Sequence, residues 1–368
     1  MKNILLIGAG NIGEMIADLL VSTGEYTVTI ADHAEKSLAK IAERKGLTKL
    51  KLDATSEAEM AAALKDKFAV LSAAPYSITP NIAKAAHAAG VHYLDLTEDV
   101  RSTKLVMELG KTAKAAMIPQ CGLAPGFISI VAASLAKRFD TLDTLRMRVG
   151  ALPEYPSNSL TYNLTWSTDG VINEYCMPCE AIVDGKLTTV PALEEIEHFA
   201  LDGVSYEAFN TSGGLGTLCE TLDGKVRSLN YRTIRYPGHR DIMKTLIQDL
   251  RLGERRDLFK EVLENAIPAT MQDVVIVFVT ATGRQNGKLM QLTYANKIYA
   301  REMNGKLWSG IQITTACSIC AVVDMLASGK LPQKGFVKQE DIALEDFLAN
   351  RFGAAYAQDE DQFTKLAA

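Results

Sequence analysis

Near its start the chain reads ILLIGAGNIG (4–13), an apolar run closed by Gly8, Gly10 and Gly13. The spacing suits a dinucleotide. Gly8 permits a tight turn, Gly10 lets backbone approach a pyrophosphate, and Gly13 allows close helix–strand contact. Asn11 and Ile12 fall at a helix start, whose unpaired N–H groups favour phosphate. A second apolar run, YTVTIAD, ends nineteen residues beyond Gly13 in Asp32, the expected acceptor for the adenosine ribose hydroxyls. An Asp there repels a 2′-phosphate, and His33 rather than an Arg follows it. The expected cofactor is therefore NAD, with NADP less favoured. Asp53 and Ala54 close the third apolar run, and Ala73, Ala74 and Pro75 the fourth. They are expected beside the adenine and the nicotinamide, because ligands of such sheets lie at the carboxyl ends of the strands.

A second set of residues has the chemistry to handle a substrate. Tyr76 follows the fourth run and is placed to orient a substrate as a catalytic residue, or else packs as a half-buried ring. Glu98 and Asp99 follow the fifth. A carboxylate there is a candidate proton acceptor, with Asp99 as catalytic base and Glu98 on the substrate. Asp99 is equally placed to cap a helix from Val100. Trp166 offers a substrate wall, while Ser167, Thr168 or Asp169 beside it suits an N-cap. Thr211, Ser212 and Gly213 form a turn whose N–H and hydroxyl groups suit a carboxylate, or a plain loop. Arg235 has the fork that grips a carboxylate, and His239 a pKa suited to acid–base work. Arg235 could instead tie two domains through Glu220 or Asp241. His33, His87, His92 and His198 read as structural.

These residues need a frame. Over the first 140 residues, strand-like runs alternate with amphipathic helical ones, which predicts a parallel sheet covered on both faces. After Thr144 longer strand-like runs appear at 144–152, 159–167, 233–238, 273–283 and 288–301. Asp184-Gly185, Asn286-Gly287 and Asn304-Gly305 mark hairpins. The tail from Ile313 to Phe352 reads as helical. The fold class is α/β: a doubly wound Rossmann sheet (1–125), then an α+β substrate-binding and dimerisation domain with a mostly antiparallel sheet (126–310). Helices at 311–353 return to the first domain. The last residues, QDEDQFTKLAA, read as frayed.

The 368 residues exceed one ordinary core, and 48% apolar with 23% charged residues is average for a globular chain. A net charge of −5 gives no basic field for nucleic acid or an anionic membrane. The first apolar run lacks a basic flank and a cleavage site, and no run of about 20 apolar residues occurs, so neither signal peptide nor span is expected and the expected location is cytoplasmic. Six cysteines include the pairs Cys176/Cys179 and Cys317/Cys320. Both pairs lie in apolar runs and read as buried thiols, so no metal is expected.

The motifs GAGNIG, AAPYSITP (73–80), CGLAPGF (121–127), TWSTDGV (165–171), TSGG (211–214) and YRTIRYPGH (231–239) resemble the saccharopine dehydrogenase family. Within it, the chain is similar to bacterial saccharopine dehydrogenases and L-lysine 6-dehydrogenases. The resemblance implies an NAD(P)-dependent oxidoreductase acting on the CH–NH group of an amino acid, and a homodimer. Saccharopine would yield glutamate and 2-aminoadipate semialdehyde. Lysine would yield ammonia and the same semialdehyde. One departure matters: the resemblance implies Asp in a GLDPG segment, and this chain has Ala124. Two alternatives remain: a carboxynorspermidine-type synthase, favoured by a cleft with few cations, and a non-catalytic NAD-binding regulator, marked by loss of polar residues from the cleft.

Overall fold

The computed structural model describes residues 1–357, so the QDEDQFTKLAA tail lies outside the described residues. The apolar runs of the first third form β1 (Lys2–Ile7), β2 (Tyr26–Asp32), β3 (Leu47–Lys51), β4 (Ala69–Ser72), β5 (His92–Asp95) and β6 (Ala116–Ile118). Between them run α1 (Asn11–Ser22), α2 (Glu35–Lys40), α3 (Glu57–Leu64), α4 (Thr79–Ala89) and α5 (Val100–Gly110). All six strands are parallel, in the order β6-β5-β4-β1-β2-β3. Strand order reverses between β1 and β4, the crevice where such sheets bind ligands.

After α6 (Phe127–Ala136) the chain builds the second sheet. Its strands are β7 (Thr141–Pro153), β8 (Cys179–Val183), β9 (Lys186–Val190), β10 (Glu197–Leu201), β11 (Val204–Asn210), β12 (Val226–Arg235), β13 (Asp273–Gln285) and β14 (Lys288–Tyr299). The helices α7 (Thr168–Cys176), α8 (Leu218–Leu222), α9 (His239–Lys244) and α10 (Arg256–Ala266) lie among them. The main order is β10-β11-β12-β7-β13-β14, and every pair is antiparallel except β12 with β7. Asp184-Gly185 and Asn286-Gly287 turn the hairpins β8–β9 and β13–β14. Asn304-Gly305 turns the small ribbon of β15 (Arg301–Met303) and β16 (Lys306–Trp308). All six of these residues take positive φ, as the tight hairpin turn requires.

Two expected elements differ. Residues 159–167 form no strand. Apart from one bridge, Leu164 to Ala269, they are irregular, and their apolar side chains pack under α7 instead of joining a sheet. The tail is not helical throughout. α11 (Gly310–Ala327) is followed by β17 (Gly335–Phe336), which pairs with β6 as a seventh parallel strand, and then by α12 (Leu344–Ala349). α11 is long and apolar enough to cross a membrane by length and composition, but 83% of it is buried, against α1 and the second sheet. Its start is held by Asp273 of β13, whose carboxylate accepts from the N–H groups of Gly310 and Ile311 at 2.5 and 2.9 Å. Burial pushes that carboxyl up to about 6 against those two bonds.

Candidate active site

A cleft of about 870 Å³ runs from the β1–β4 crevice to the face of the second sheet. Gly10–Gly13 and Ala73–Ser77 line it on one side, Leu123–Pro125 at the back, and Trp166, Glu174, Tyr231, Thr233 and Arg235 on the other. Ser309, Ile311, Gln312 and Thr315 at the start of α11 complete it.

The glycine loop has the shape of a nucleotide cradle. A Cβ on Gly13 would sit 1.9 Å from the Gly8 carbonyl oxygen, and one on Gly8 2.5 Å from that of Ala73. Those two glycines are fixed by the protein's own backbone. Gly10 is different: a Cβ there meets nothing within 4 Å and points into open space. No described residue demands glycine at that position, whereas a pyrophosphate over the N-terminus of α1 would. Asp32 ends β2, and its carboxylate accepts from the N–H groups of Ala9 (2.9 Å) and Ala34 (2.8 Å). This fixes its orientation and leaves lone pairs for ribose hydroxyls. Asp53 and Ala54 do not line the cleft. Asp53 closes a local turn, accepting from the N–H and hydroxyl of Thr55 at 2.8 and 2.7 Å, which lowers its pKa.

The substrate side is built on β12 and α7. Tyr231, Thr233 and Arg235 alternate along β12 and so share one face of the sheet. Arg235 is 2% exposed, and its guanidinium lies 5.0 and 5.8 Å from the rings of Tyr162 and Tyr175. Its Nε–H donates to the Tyr175 hydroxyl (2.9 Å) and one terminal nitrogen donates to the Ile234 carbonyl (2.9 Å). Among the described residues it makes no ion pair. Glu220 instead lies in a separate small pocket, and Asp241 accepts from Arg240, so neither makes the interdomain tie considered above.

His239 is not in the cleft wall, which corrects the catalytic role expected of it. It is 1% exposed, and burial followed by the charge of Arg235 lowers its pKa to about 3. A neutral ring with Nδ1 at 2.9 Å from the Leu160 carbonyl must donate there, so Nε2 accepts from the Tyr175 hydroxyl at 3.0 Å. The tyrosine oxygen is then free to accept from Arg235. His239 thus orients Tyr175, and Tyr175 orients Arg235. It is a positioning residue.

Asp99 is likewise corrected. It caps α5, its carboxylate accepting from the N–H and hydroxyl of Ser102 at 2.7 and 2.6 Å, and it does not line the cleft. Its neighbour Glu98 does line it, half-buried, with its pKa raised by burial. Asp95, fully buried, clamps this region. It accepts from the N–H groups of Thr97 (3.0 Å) and Gln120 (2.8 Å) and from the Tyr93 hydroxyl (2.6 Å). Burial raises it to about 6. Tyr76 is in the cleft wall and 44% exposed. Thr211 and Ser212 are buried behind the cleft: Thr211 bonds Thr233 (3.1 Å) and the Ser212 N–H donates to the Glu174 carbonyl (3.1 Å). Gly213 packs on Glu98. This turn backs the cleft wall, and Thr211 and Gly213 line a separate small pocket beside it.

Glu174 was missed by the sequence reading. α7 is capped by Ser167, which accepts from the Gly170 N–H, and Trp166 lies so close over Gly170 that a Cβ there would clash at 2.3 Å. One turn on, Glu174 shares that face and lines the cleft at 7% exposure. Burial raises its carboxyl to about 8, with Arg235 opposing and Glu98 reinforcing the shift. The available signal was an acid flanked in the helix by the apolar residues Val171, Ile172 and Tyr175. Asp169, also in the wall, is exposed and paired with Lys260 at 2.6 Å.

The comparisons with known proteins follow this geometry. The family model described as "Saccharopine dehydrogenase NADP binding domain" matches residues 4–118, and "Saccharopine dehydrogenase C-terminal domain" matches 122–352. The chain is 24% identical over 291 residues to "Saccharopine dehydrogenase [NADP(+), L-glutamate-forming]" of Saccharomyces cerevisiae, covering 72% of this chain and 61% of that protein. It is 24% identical over 299 residues to the protein of the same name from Pyricularia oryzae, covering 77% and 65%. The chain thus spans rather less than two thirds of the length of these relatives. The solved structure of apo saccharopine dehydrogenase (L-Glu forming) from Saccharomyces cerevisiae superposes with a TM-score of 0.79 at 17% identity, covering 95% of this chain and 97% of that one, so the two share a fold. Residues 4–118 form a pyridine-nucleotide-binding domain. With both of its domains matched in order, and the cleft between them lined by their motifs, the chain belongs to the saccharopine dehydrogenase family.

Proposed function

We propose that this chain is a pyridine-nucleotide-dependent dehydrogenase that oxidises a CH–NH bond of an amino acid, the reaction type named for its relatives. The observation that carries this reading is one continuous cleft. It runs from the glycine loop at the N-terminus of α1 to Arg235, a buried guanidinium that makes no ion pair with a carboxylate among the described residues. A buried cation of that kind is costly unless a ligand anion completes it. A nicotinamide held there would supply the hydride acceptor for the carbon that bears nitrogen.

The chain's own residues do the rest. Gly10–Gly13 and Ala73–Pro75 would hold the nucleotide. Arg235, oriented through Tyr175 and His239, fixes a substrate carboxylate. Glu174 and Glu98 hold or accept the proton of the substrate ammonium, which must leave before the nitrogen lone pair can assist hydride loss. Burial raises the Glu174 carboxyl to about 8, which suits proton exchange near neutrality, and raises the Glu98 carboxyl in the same direction. Water then adds to the imine carbon and releases the amine. Saccharopine would give glutamate and 2-aminoadipate semialdehyde. Lysine would give ammonia and the same semialdehyde.

On the cofactor, the matched family model and the fungal relatives carry NADP in their descriptions. The argument for NAD is local. The Asp32 carboxylate is pinned at the ribose end of the cradle by Ala9 and Ala34, where it repels a 2′-phosphate. The regulator reading is disfavoured by the retention of Arg235, Glu174 and Glu98 in the cleft wall. The test is an absorbance assay of nucleotide reduction with NAD or NADP against saccharopine, lysine and carboxyalkyl polyamines. Reduction with at least one amino acid is expected. Inertness toward all, in both directions, would overturn the reading.

A further inference from the structure

Gln312 and Thr315 bring hydrogen-bond donors into the cleft wall from α11, outside the matched nucleotide-binding domain. Gln312 is 7% exposed. Chemistry decides which way its amide faces. Ser309 caps α11, and the Ser309 N–H points at the Gln312 amide at 3.0 Å. An N–H needs an acceptor, so the amide oxygen faces Ser309 and the amide nitrogen takes the other side. That nitrogen carries two donors and makes no hydrogen bond among the described residues. Leaving buried donors unmet is costly, and such a group calls for a ligand acceptor. Thr315 stands three residues on, on the same face of α11. Thr314 donates its hydroxyl to the Gly310 carbonyl at 2.8 Å. The Thr315 hydroxyl, half-buried, makes no hydrogen bond among the described residues.

The register against α1 says which part of the cleft these donors face. The small ribbon runs back along α1: Asn304 donates to Asp18 at 2.8 Å, and Lys306 to Glu14 at 2.6 Å. α11 then returns in the direction of α1. Cys320 lies over the Ile16 carbonyl at 4.0 Å, and Asp324 accepts from Tyr26, beyond the end of α1, at 2.6 Å. Thr315 is five residues before Cys320, and Asn11 five before Ile16. The reversal at Ser309–Thr315 therefore sits at the N-terminus of α1, beside the cradle that Gly10 leaves open.

A dinucleotide brings a charged pyrophosphate to that point. Arg235 is the one cation in the cleft wall among the described residues, and it stands on β12 in the second sheet. The phosphates must therefore be met by neutral donors. The first N–H groups of α1 supply some of them. We propose that the Gln312 amide and the Thr315 hydroxyl supply the rest, donating to pyrophosphate oxygens, so that the nucleotide is clasped between α1 of the first domain and α11 of the second. This inference rests on the nucleotide reading of the cleft and extends it to a segment that the glycine-loop pattern does not contain. It is independent of which amine is oxidised.

The experiment is calorimetric titration of the full chain at pH 8 with NADH, NADPH and ADP-ribose, which needs no turnover. ADP-ribose keeps the pyrophosphate and lacks the nicotinamide. Gln312→Glu keeps the oxygen that accepts from Ser309, since Glu serves that cap as Gln does, and replaces the two donors with a charged oxygen. It should leave the melting temperature near the parent's and weaken all three ligands alike, by about a hundredfold or more. Thr315→Val removes only the free hydroxyl and should weaken all three by about three- to tenfold. Dissociation constants within about twofold of the parent's in both variants would overturn the inference. So would weaker NADH binding with ADP-ribose binding kept, because the donors would then meet the nicotinamide. If Gln312→Glu fails to fold, Thr315→Val, which touches no cap, decides alone. A parent chain that binds none of the three ligands would overturn this inference together with the nucleotide reading. Weakened nucleotide binding in both variants of a chain that oxidises no amino acid would uphold this inference and remove the dehydrogenase reading.

Discussion

Replacing Arg235 with lysine keeps the charge and removes the fork. In the folded chain the guanidinium uses Nε–H on Tyr175 and one terminal N–H on Ile234, and its remaining N–H groups are left for the cleft. A lysine ammonium cannot hold Tyr175 and present two parallel donors to a carboxylate at once. Losing the second charge-assisted bond to substrate should cost about 2–3 kcal/mol in kcat/KM, roughly 30- to 150-fold. The nucleotide site is built on other strands, so the Kd for NADH should stay within about twofold of the parent's. Steady-state kinetics with the best amino acid, together with a fluorescence titration of NADH, give both numbers. The melting temperature should fall as well, since packing on Tyr162 and Tyr175 is lost. A mutant with normal kcat/KM and only a lowered Tm would refute the reasoning and make Arg235 a structural residue. Parallel loss of NADH binding would refute it too.

Three further outcomes follow from the same structure. Asp32→Ala should narrow a parent preference for NAD over NADP, measured by titrating both nucleotides, and a parent that binds NADP more tightly would contradict the role given to Asp32. Glu174 has a folded pKa raised from 4.5 to about 8, so the folded state binds the extra proton and stability falls as pH rises between those values. Glu174→Gln should therefore flatten the decline of Tm from pH 5 to 8, removing a term whose upper bound is on the order of 5 kcal/mol, with Asp95 and Asp273 leaving a residual slope. An unchanged slope would show that Glu174 is not buried and neutral. Finally, β14 is the last strand in the order of the second sheet and carries the exposed apolar residues Leu289 and Met290, a patch suited to a second copy. Light scattering at micromolar concentration should report a dimer, and a monomer would count against it.

The parts legible in the sequence were those fixed by local pattern. Continuous apolar strands alternating with helices can only cover both faces of a parallel sheet, and β1 to β6 follow that pattern. The Asn-Gly and Asp-Gly pairs name their hairpins because few residues tolerate their backbone. The glycine loop was legible because its spacing is a steric requirement. Roles that depend on which way a side chain points were not legible. Asp99 and Glu98 are neighbours, yet only Glu98 enters the cleft, because the first turn of α5 takes up the Asp99 carboxylate. His239 stands four residues after Arg235, and the turn that starts α9 carries it behind the wall, onto Tyr175. Glu174 was passed over because an acid on a helix reads as solvent-facing until Trp166 is seen to cover the same face. The run at 159–167 has the composition of a strand, but its apolar residues are absorbed by the cluster under α7.

The central claim is that nucleotide and amino acid meet in one cleft and that hydride passes between them. The most direct test uses lysine and saccharopine deuterated at the ε-carbon of the lysyl chain, incubated with the purified chain and the oxidised nucleotide. The nucleotide formed should carry one deuterium at C4 of the nicotinamide, one mass unit above the product from unlabelled substrate. Reduced nucleotide without deuterium, or no reduction from either labelled amino acid, would contradict it.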